Sequence, residues 1–260
     1  MATAATATAA VTCWCFGASL TEGLTYDPGF RQAFRPYARY MEELSAGAVV
    51  GVATGHSGAT TTQLLEDFME WDLEQVVSGE TGVPRYVAIL GGTNDLGHAL
   101  AYVSGGALSD DAVAGLVKEP AANLLAIADA IRSHPRMRAS PPHVFIITVP
   151  PLGGSVFEAM GRPAWDASVR CRHALSSQLR RSVEGNADVD VVDSWAAVAT
   201  PHDDPARPDS IRPEFDCGDG IHFSDAGYKA LSKAVSDAAV AHLASAAGPR
   251  AAGAAEDGSL

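Results

Sequence analysis

The run Val11-Thr12-Cys13-Trp14-Cys15-Phe16-Gly17-Ala18-Ser19-Leu20-Thr21-Glu22-Gly23 decides how the rest of the chain is read. Its first six residues are β-branched, aromatic or thiol-bearing and favour a buried strand; Gly17 then breaks the run and delivers a serine where the strand ends. The same grammar recurs at residues 48–53, 86–90, 143–149 and 189–192. Between these runs the apolar residues change to helical spacing: Leu64, Leu65, Phe68 and Trp71; Leu124, Leu125, Ala128 and Ile131; Leu175, Leu179 and Val183. Each set makes one buried helix face. Strands alternating with helices, each crossover long enough for a right-handed βαβ unit, predict an α/β domain on a five-stranded parallel sheet. Ser224 followed by Asp225 caps a last helix reaching about residue 243, with Leu231, Val235 and Ala238 facing inward.

Three stretches rich in Gly, Pro and Asp, at 97–119, 150–163 and 195–218, read as irregular loops that each follow a strand. Open α/β sheets keep their ligand crevice on that side. Leu100, Tyr102, Val103 and Leu108 in the first of them are candidates to line an apolar acyl pocket, or are ordinary packing residues. The domain is expected to span 11–246, with a flexible segment at 1–10 and a disordered Ala/Gly tail at 247–260.

The chain has 260 residues, 47% of them hydrophobic and 19% charged, enough for a sizeable core in one domain. A formal net charge of −13 works against a phosphate backbone, so nucleic acid is excluded as a partner. Residues 1–21 are uncharged but interrupted by Thr and Gly, and the first basic residue is Arg31. Neither a signal peptide nor a stable membrane insertion is expected, although a remnant of a targeting segment stays open. Cys13, Cys15, Cys171 and Cys217 form no CxxC pair and read as buried thiols of a soluble intracellular protein. His202, Asp203 and Asp204 are the one metal-like cluster and read as a polar loop.

A serine after glycine is by itself a turn or cap residue, and Thr21 stands where a Gly-x-Ser-x-Gly elbow has its second glycine. Three further segments change the reading. Thr54-Gly55-His56-Ser57-Gly58-Ala59-Thr60-Thr61 follows the second strand, Gly91-Gly92-Thr93-Asn94-Asp95 the third, and Asp219-Gly220-Ile221-His222 precedes the last helix. As a set, in this order and strand context, they resemble the four blocks of the SGNH, or GDSL-type, hydrolases, nearest to esterase, arylesterase and lysophospholipase-like members. The resemblance spans about 11–243. It implies a three-layer α/β/α fold of flavodoxin-like strand order, Ser19 as nucleophile, His222 as base, Asp219 as its orienting acid, and an oxyanion hole made by Ser19, Gly58 and Asn94. The expected partner is a small-molecule carboxylic ester; no cofactor and no metal are called for.

The chemistry asks for the same inventory. A serine hydroxyl is a weak nucleophile at neutral pH and needs a base, and imidazole, with an ordinary pKa of ~6.5, is suited to take its proton. His222 is assigned that role ahead of His56, which reads as a pocket or surface residue, and His98. An acid on the other ring nitrogen fixes the tautomer, and fixed N–H donors stabilise charge on the carbonyl oxygen. Asp95 reads as a loop-fastening residue and Gly58 also as a turn glycine of positive φ. A binding member that lost catalysis and an acyltransferase with the same residues are the alternatives. One departure stands out: Ala18 occupies the place of the family aspartate, so Ala18→Asp either stiffens the nucleophile loop or inserts an unpaired buried carboxylate.

Overall fold

The computed structural model describes residues 9–27, 29–78, 82–101, 108–201 and 209–246. The chain enters through β1 (Val11–Ala18), a single helical turn α1 (Ser19–Glu22) and an antiparallel hairpin of β2 (Leu24–Asp27) and β3 (Arg31–Phe34). The short α2 (Met41–Leu44) leads to β4 (Val49–His56), then α3 (Thr61–Asp67), which passes through a π-helical turn at Phe68–Asp72 into α4 (Leu73–Ser78). There follow β5 (Tyr86–Leu90), α5 (Thr93–Ala101), α6 (Asp110–Ser133) and β6 (His143–Ile147). The last third is α7 (Gly154–Met160), α8 (Arg162–Val183), β7 (Val189–Val192), α9 (Ser194–Val198) and α10 (Asp225–Ala246).

The main sheet has the order β4-β1-β5-β6-β7, every pair parallel. Relabelled in chain order within the sheet this is second, first, third, fourth, fifth, the flavodoxin-like order. Strand alternation sends Trp14, Phe16 and Ala18 of β1, with Val87 and Ile89 of β5, to one face, where Leu64, Leu124, Ile127 and Leu175 cover them. Cys13, Cys15, Tyr86, Ala88 and Phe145 point to the other face, under Tyr37, Met41, Tyr228 and Leu231. Both faces of the central strands β1, β5 and β6 are therefore buried, which is why they read as continuous apolar runs.

The loop expectations are corrected in several places. Residues 97–119 are largely helical: α5 runs to Ala101, and α6 starts at Asp110, capped by the Ser109 hydroxyl, which accepts from the Ala112 N–H. Gly97, Gly115 and Pro120 disguised this; Pro120 lies inside α6, buried on its inner face. The stretch 150–163 likewise contains α7 and the start of α8, and 195–218 opens with α9. Trp71 is 64% exposed rather than part of the inner stripe, because the π-helical turn at Phe68–Asp72 shifts the face and buries Asp72 instead. On α10 the stripe continues from Val235 to buried Ala239, with Ala238 only flanking it. The hairpin β2–β3 was not foreseen. Cys13, Cys15 and Cys171 are buried thiols and Cys217 is half-buried. Tyr102, Val103, His202, Asp203, Asp204, residues 1–8 and the tail 247–260 lie outside the described residues. No described helix is long and apolar enough to cross a membrane.

Candidate active site

β1 is flanked in the sheet by β4 and β5, and the register pairs Ala18 with His56 and Gly17 with Leu90. The segments that leave these three strands, carrying Ser19, Gly58 and Asn94, therefore depart side by side from the carboxyl edge. Gly17 makes this possible: a Cβ there would lie 2.1 Å from the Leu90 carbonyl oxygen and 2.5 Å from Thr21 Oγ1. With only hydrogen at that position, β1 packs against the end of β5 and turns at once into α1, with Ser19 as its first residue. The handover is thus to a helical turn, not to a loop.

His222 arrives from the segment before α10. Its Nε2 is 2.8 Å from Ser19 Oγ, across 203 residues of sequence, and its Nδ1 is 2.6 Å from Asp219 Oδ2. The other Asp219 oxygen accepts from the backbone N–H groups of Ile221 and His222, both at 2.8 Å. Asp219 is thereby locked to the turn that carries the imidazole, and the carboxylate that faces Nδ1 requires a proton there, leaving Nε2 able to accept from the serine. Burial works to raise the Asp219 pKa, but the bonds from the His222 ring and the two N–H groups outweigh it and bring the carboxyl down to about 2. Ser19 and His222 are both buried.

Asp216 holds this turn from outside, its Oδ1 accepting from the N–H groups of Gly218 and Gly220 at 2.7 and 3.1 Å. Sequence reading passed over it; its signal was an Asp followed two residues later by Gly in an Asx-turn pattern. Asp216, Cys217 and Asp219 have ligand atoms within 4.8 Å of one another. Asp216 and Asp219 are engaged as just described, and the Cys217 thiol is pushed up to about 11, first by burial.

Gly58 has φ +81°, and a Cβ there would meet nothing, so the backbone conformation alone selects glycine. Asn94 Nδ2 donates to the Ala59 carbonyl at 2.8 Å, which aims the amide and leaves its second hydrogen for another acceptor. Asp95 does fasten a loop: its carboxylate accepts from the Thr61 N–H and from Thr61 Oγ1 at 2.6 Å, clamping the start of α3 to the start of α5. Thr60 and Gln63 complete a reciprocal cap there. Asp95 also precedes His98 by three residues, repeating the Asp-x-x-His spacing, but its oxygens are committed to Thr61 while His98 lines a pocket. His56 is half-buried and pairs with Asp72 at 2.8 Å.

That pocket, about 490 Å³, opens beside Asn94 and Ile221, with Leu100, Leu152, Val156 and Met160 among its walls. Leu100, anticipated from sequence, is there. Leu152 and, on α7, Val156 and Met160 come from the stretch read as a loop, and α8 adds Ala164, Ser168 and Arg172 to the lining.

Ala18 is buried in the apolar cluster of its sheet face and caps α1 without any side-chain hydrogen bond. The structure thus favours repacking around alanine. Ala18→Asp is expected to destabilise by about 1–3 kcal/mol, a fall of several degrees in Tm, because the carboxylate enters that cluster unpaired. A thermal melt checks it, and an unchanged or higher Tm would show that a partner is waiting.

The sheet order and the crevice at the carboxyl edge of the strands define the class, a three-layer α/β/α domain on a five-stranded parallel sheet. Residues 15–230 match the model of the GDSL-like lipase/acylhydrolase family, and the chain belongs to that family. No curated protein matches it in sequence. Among solved structures it resembles a carbohydrate acetylesterase from Sinorhizobium meliloti, with 19% identity, TM-score 0.59, and 89% of this chain and 99% of that one covered. The M. smegmatis aryl esterase gives 17% identity and TM-score 0.59 over 89% and 99% of the two chains. A GDSL-like lipase from Bacteroides thetaiotaomicron gives 18%, TM-score 0.55, and 89% and 88%. At these identities the likeness is one of fold.

Proposed function

We propose that the protein hydrolyses carboxylic esters through an acyl-Ser19 intermediate. The observation that carries this reading is the unbroken chain from Ser19 Oγ to His222 Nε2 and from His222 Nδ1 to Asp219, at 2.8 and 2.6 Å. In the first half-reaction Ser19 Oγ attacks the ester carbonyl carbon while Nε2 takes the hydroxyl proton. Asp219 stabilises the imidazolium so formed. The negative charge on the former carbonyl oxygen is met by the Ser19 and Gly58 backbone N–H groups and the free hydrogen of the Asn94 amide. The ester C–O bond then breaks and the alcohol leaves with the proton from Nε2. Water gives a proton to the same nitrogen, attacks the acyl carbon, and Ser19 is released as the hydroxyl. A non-catalytic role is disfavoured because a site without turnover has no use for a buried serine held against an imidazole.

Hydrolysis of a series of p-nitrophenyl esters of increasing chain length tests the activity, and Asn94→Ala tests the assignment of charge stabilisation. The Asn94 amide is asked to donate only when charge appears, so its loss should lower kcat by on the order of 10²- to 10³-fold while KM moves much less. A variant that melts several degrees lower yet keeps most of its kcat would make Asn94 a fastener of the Ala59 loop and remove it from the oxyanion hole.

A further inference from the structure

The pocket beside Asn94 contains a group that hydrolysis of a plain ester does not need. Arg172, on the inner face of α8, is only 2% exposed and stands in the pocket wall with Ser168. Its Nε donates to Ser168 Oγ at 3.3 Å and one Nη1 hydrogen to the Pro150 carbonyl at 3.0 Å. A guanidinium has five N–H donors, so among the described residues most remain uncommitted, including both on Nη2. No carboxylate pairs with it among the described residues. Burial lowers its pKa to about 10, so the group is still cationic at neutral pH.

An isolated buried cation costs several kcal/mol unless something answers it, and hydrophobic replacements of similar volume often do better. Packing gives no reason for arginine here: Thr93, Asn94 and His98 line one part of the pocket, while Leu100, Leu152, Val156, Met160 and Ile221 make the rest of its wall largely apolar. A planar fork of N–H donors at the wall of an apolar cavity matches a carboxylate at the end of a short apolar chain. We infer that Arg172 receives a carboxylate carried on one arm of the ester, and that the preferred substrates are esters bearing a free carboxylate. This rests on the proposed ester hydrolysis and names its substrate class.

Two matched pairs of esters test it and tell the arms apart. On the acyl side the comparison is p-nitrophenyl hydrogen glutarate against p-nitrophenyl hexanoate; on the alcohol side it is p-acetoxybenzoate against p-tolyl acetate. In one pair the kcat/KM ratio of charged to neutral member should fall by about tenfold or more from wild type to Arg172→Met, with Arg172→Lys between them. The pair that responds identifies the arm. Ratios that are the same in wild type and Arg172→Met for both pairs overturn the inference, and show Arg172 to be a tie between α8 and Pro150. Should Arg172→Met not fold, the comparison of wild type with Arg172→Lys decides in the same way. If none of the esters is turned over, the proposed function fails separately, and the anion site is decided by melting in glutarate. A rise in Tm for wild type that is smaller in Arg172→Lys supports the site; no rise contradicts it.

Discussion

Ser19→Ala is expected to yield a folded protein whose melt stays close to the parent's and whose ester turnover is lower by on the order of 10⁴- to 10⁶-fold. The two halves of the expectation come from different parts of the structure. Among the described residues the Ser19 hydroxyl has one side-chain partner, His222 Nε2, and Ser19 belongs to neither apolar core cluster. Its chemical role has no substitute, because the imidazole is then left with no hydroxyl to deprotonate and turnover falls to what the oxyanion donors and binding supply. Turnover assayed together with a circular dichroism melt separates the outcomes. Parent-like turnover in a variant of unchanged melt removes Ser19 from the reaction; a collapsed melt makes it structural.

Asp219→Asn is expected to lower kcat by about 10⁴, although it changes one atom. The asparagine carbonyl keeps the place that accepts from the Ile221 and His222 N–H groups, which turns the NH₂ toward His222 Nδ1. The ring must then accept at Nδ1 and carry its proton on Nε2, against Ser19 Oγ, where it has no lone pair to take the serine proton. The same substitution has a stability signature. The folded pKa of Asp219, about 2, lies below the ordinary carboxylate value, so its contribution is present above that ordinary value and is lost as the pH falls through about 2. Between about pH 4 and pH 2 the Tm of the parent should therefore fall more steeply than that of Asp219→Asn. Equal slopes would mean that the hydrogen bonds to Asp219 do not favour its ionised form, and retained kcat would remove it from the relay.

The parts of the fold that were legible are those where both faces of an element are buried. β1 and β5 announce themselves because Trp14, Phe16, Val87 and Ile89 on one side and Cys13, Cys15, Tyr86 and Ala88 on the other all face packed layers. What the sequence concealed lies where one residue overrides a period. Pro120 within α6, Gly97 within α5 and the π-helical turn that swings Trp71 outward each break a helical count that continues in space. The candidate site was named from the resemblance of four sequence blocks; the structure brings the side chains of Ser19, His222 and Asp219 into hydrogen-bond contact, while the oxyanion role of Gly58 and Asn94 is a proposal. The supports of the site were harder to see. Asp216 acts through backbone N–H groups and is marked in the sequence only by the glycine two residues on, and Arg172 reads as a surface residue until the stripe of Leu179 and Leu175 is continued back along α8. Three and seven residues before Leu175 stand Arg172 and Ser168, the two polar residues that α8 places in the pocket wall.

The central claim is that Ser19 Oγ forms the covalent bond to the acyl group, and intact and peptide-level mass spectrometry after treatment with a p-nitrophenyl phosphonate ester tests it most directly. The phosphonyl group mimics the tetrahedral intermediate and stays on the oxygen that attacks. The predicted result is one added phosphonyl group, located on the peptide that carries Ser19, slowed severely in Asp219→Asn and missing in Ser19→Ala. A phosphonyl group on another residue, or equal labelling of Ser19→Ala, would contradict it.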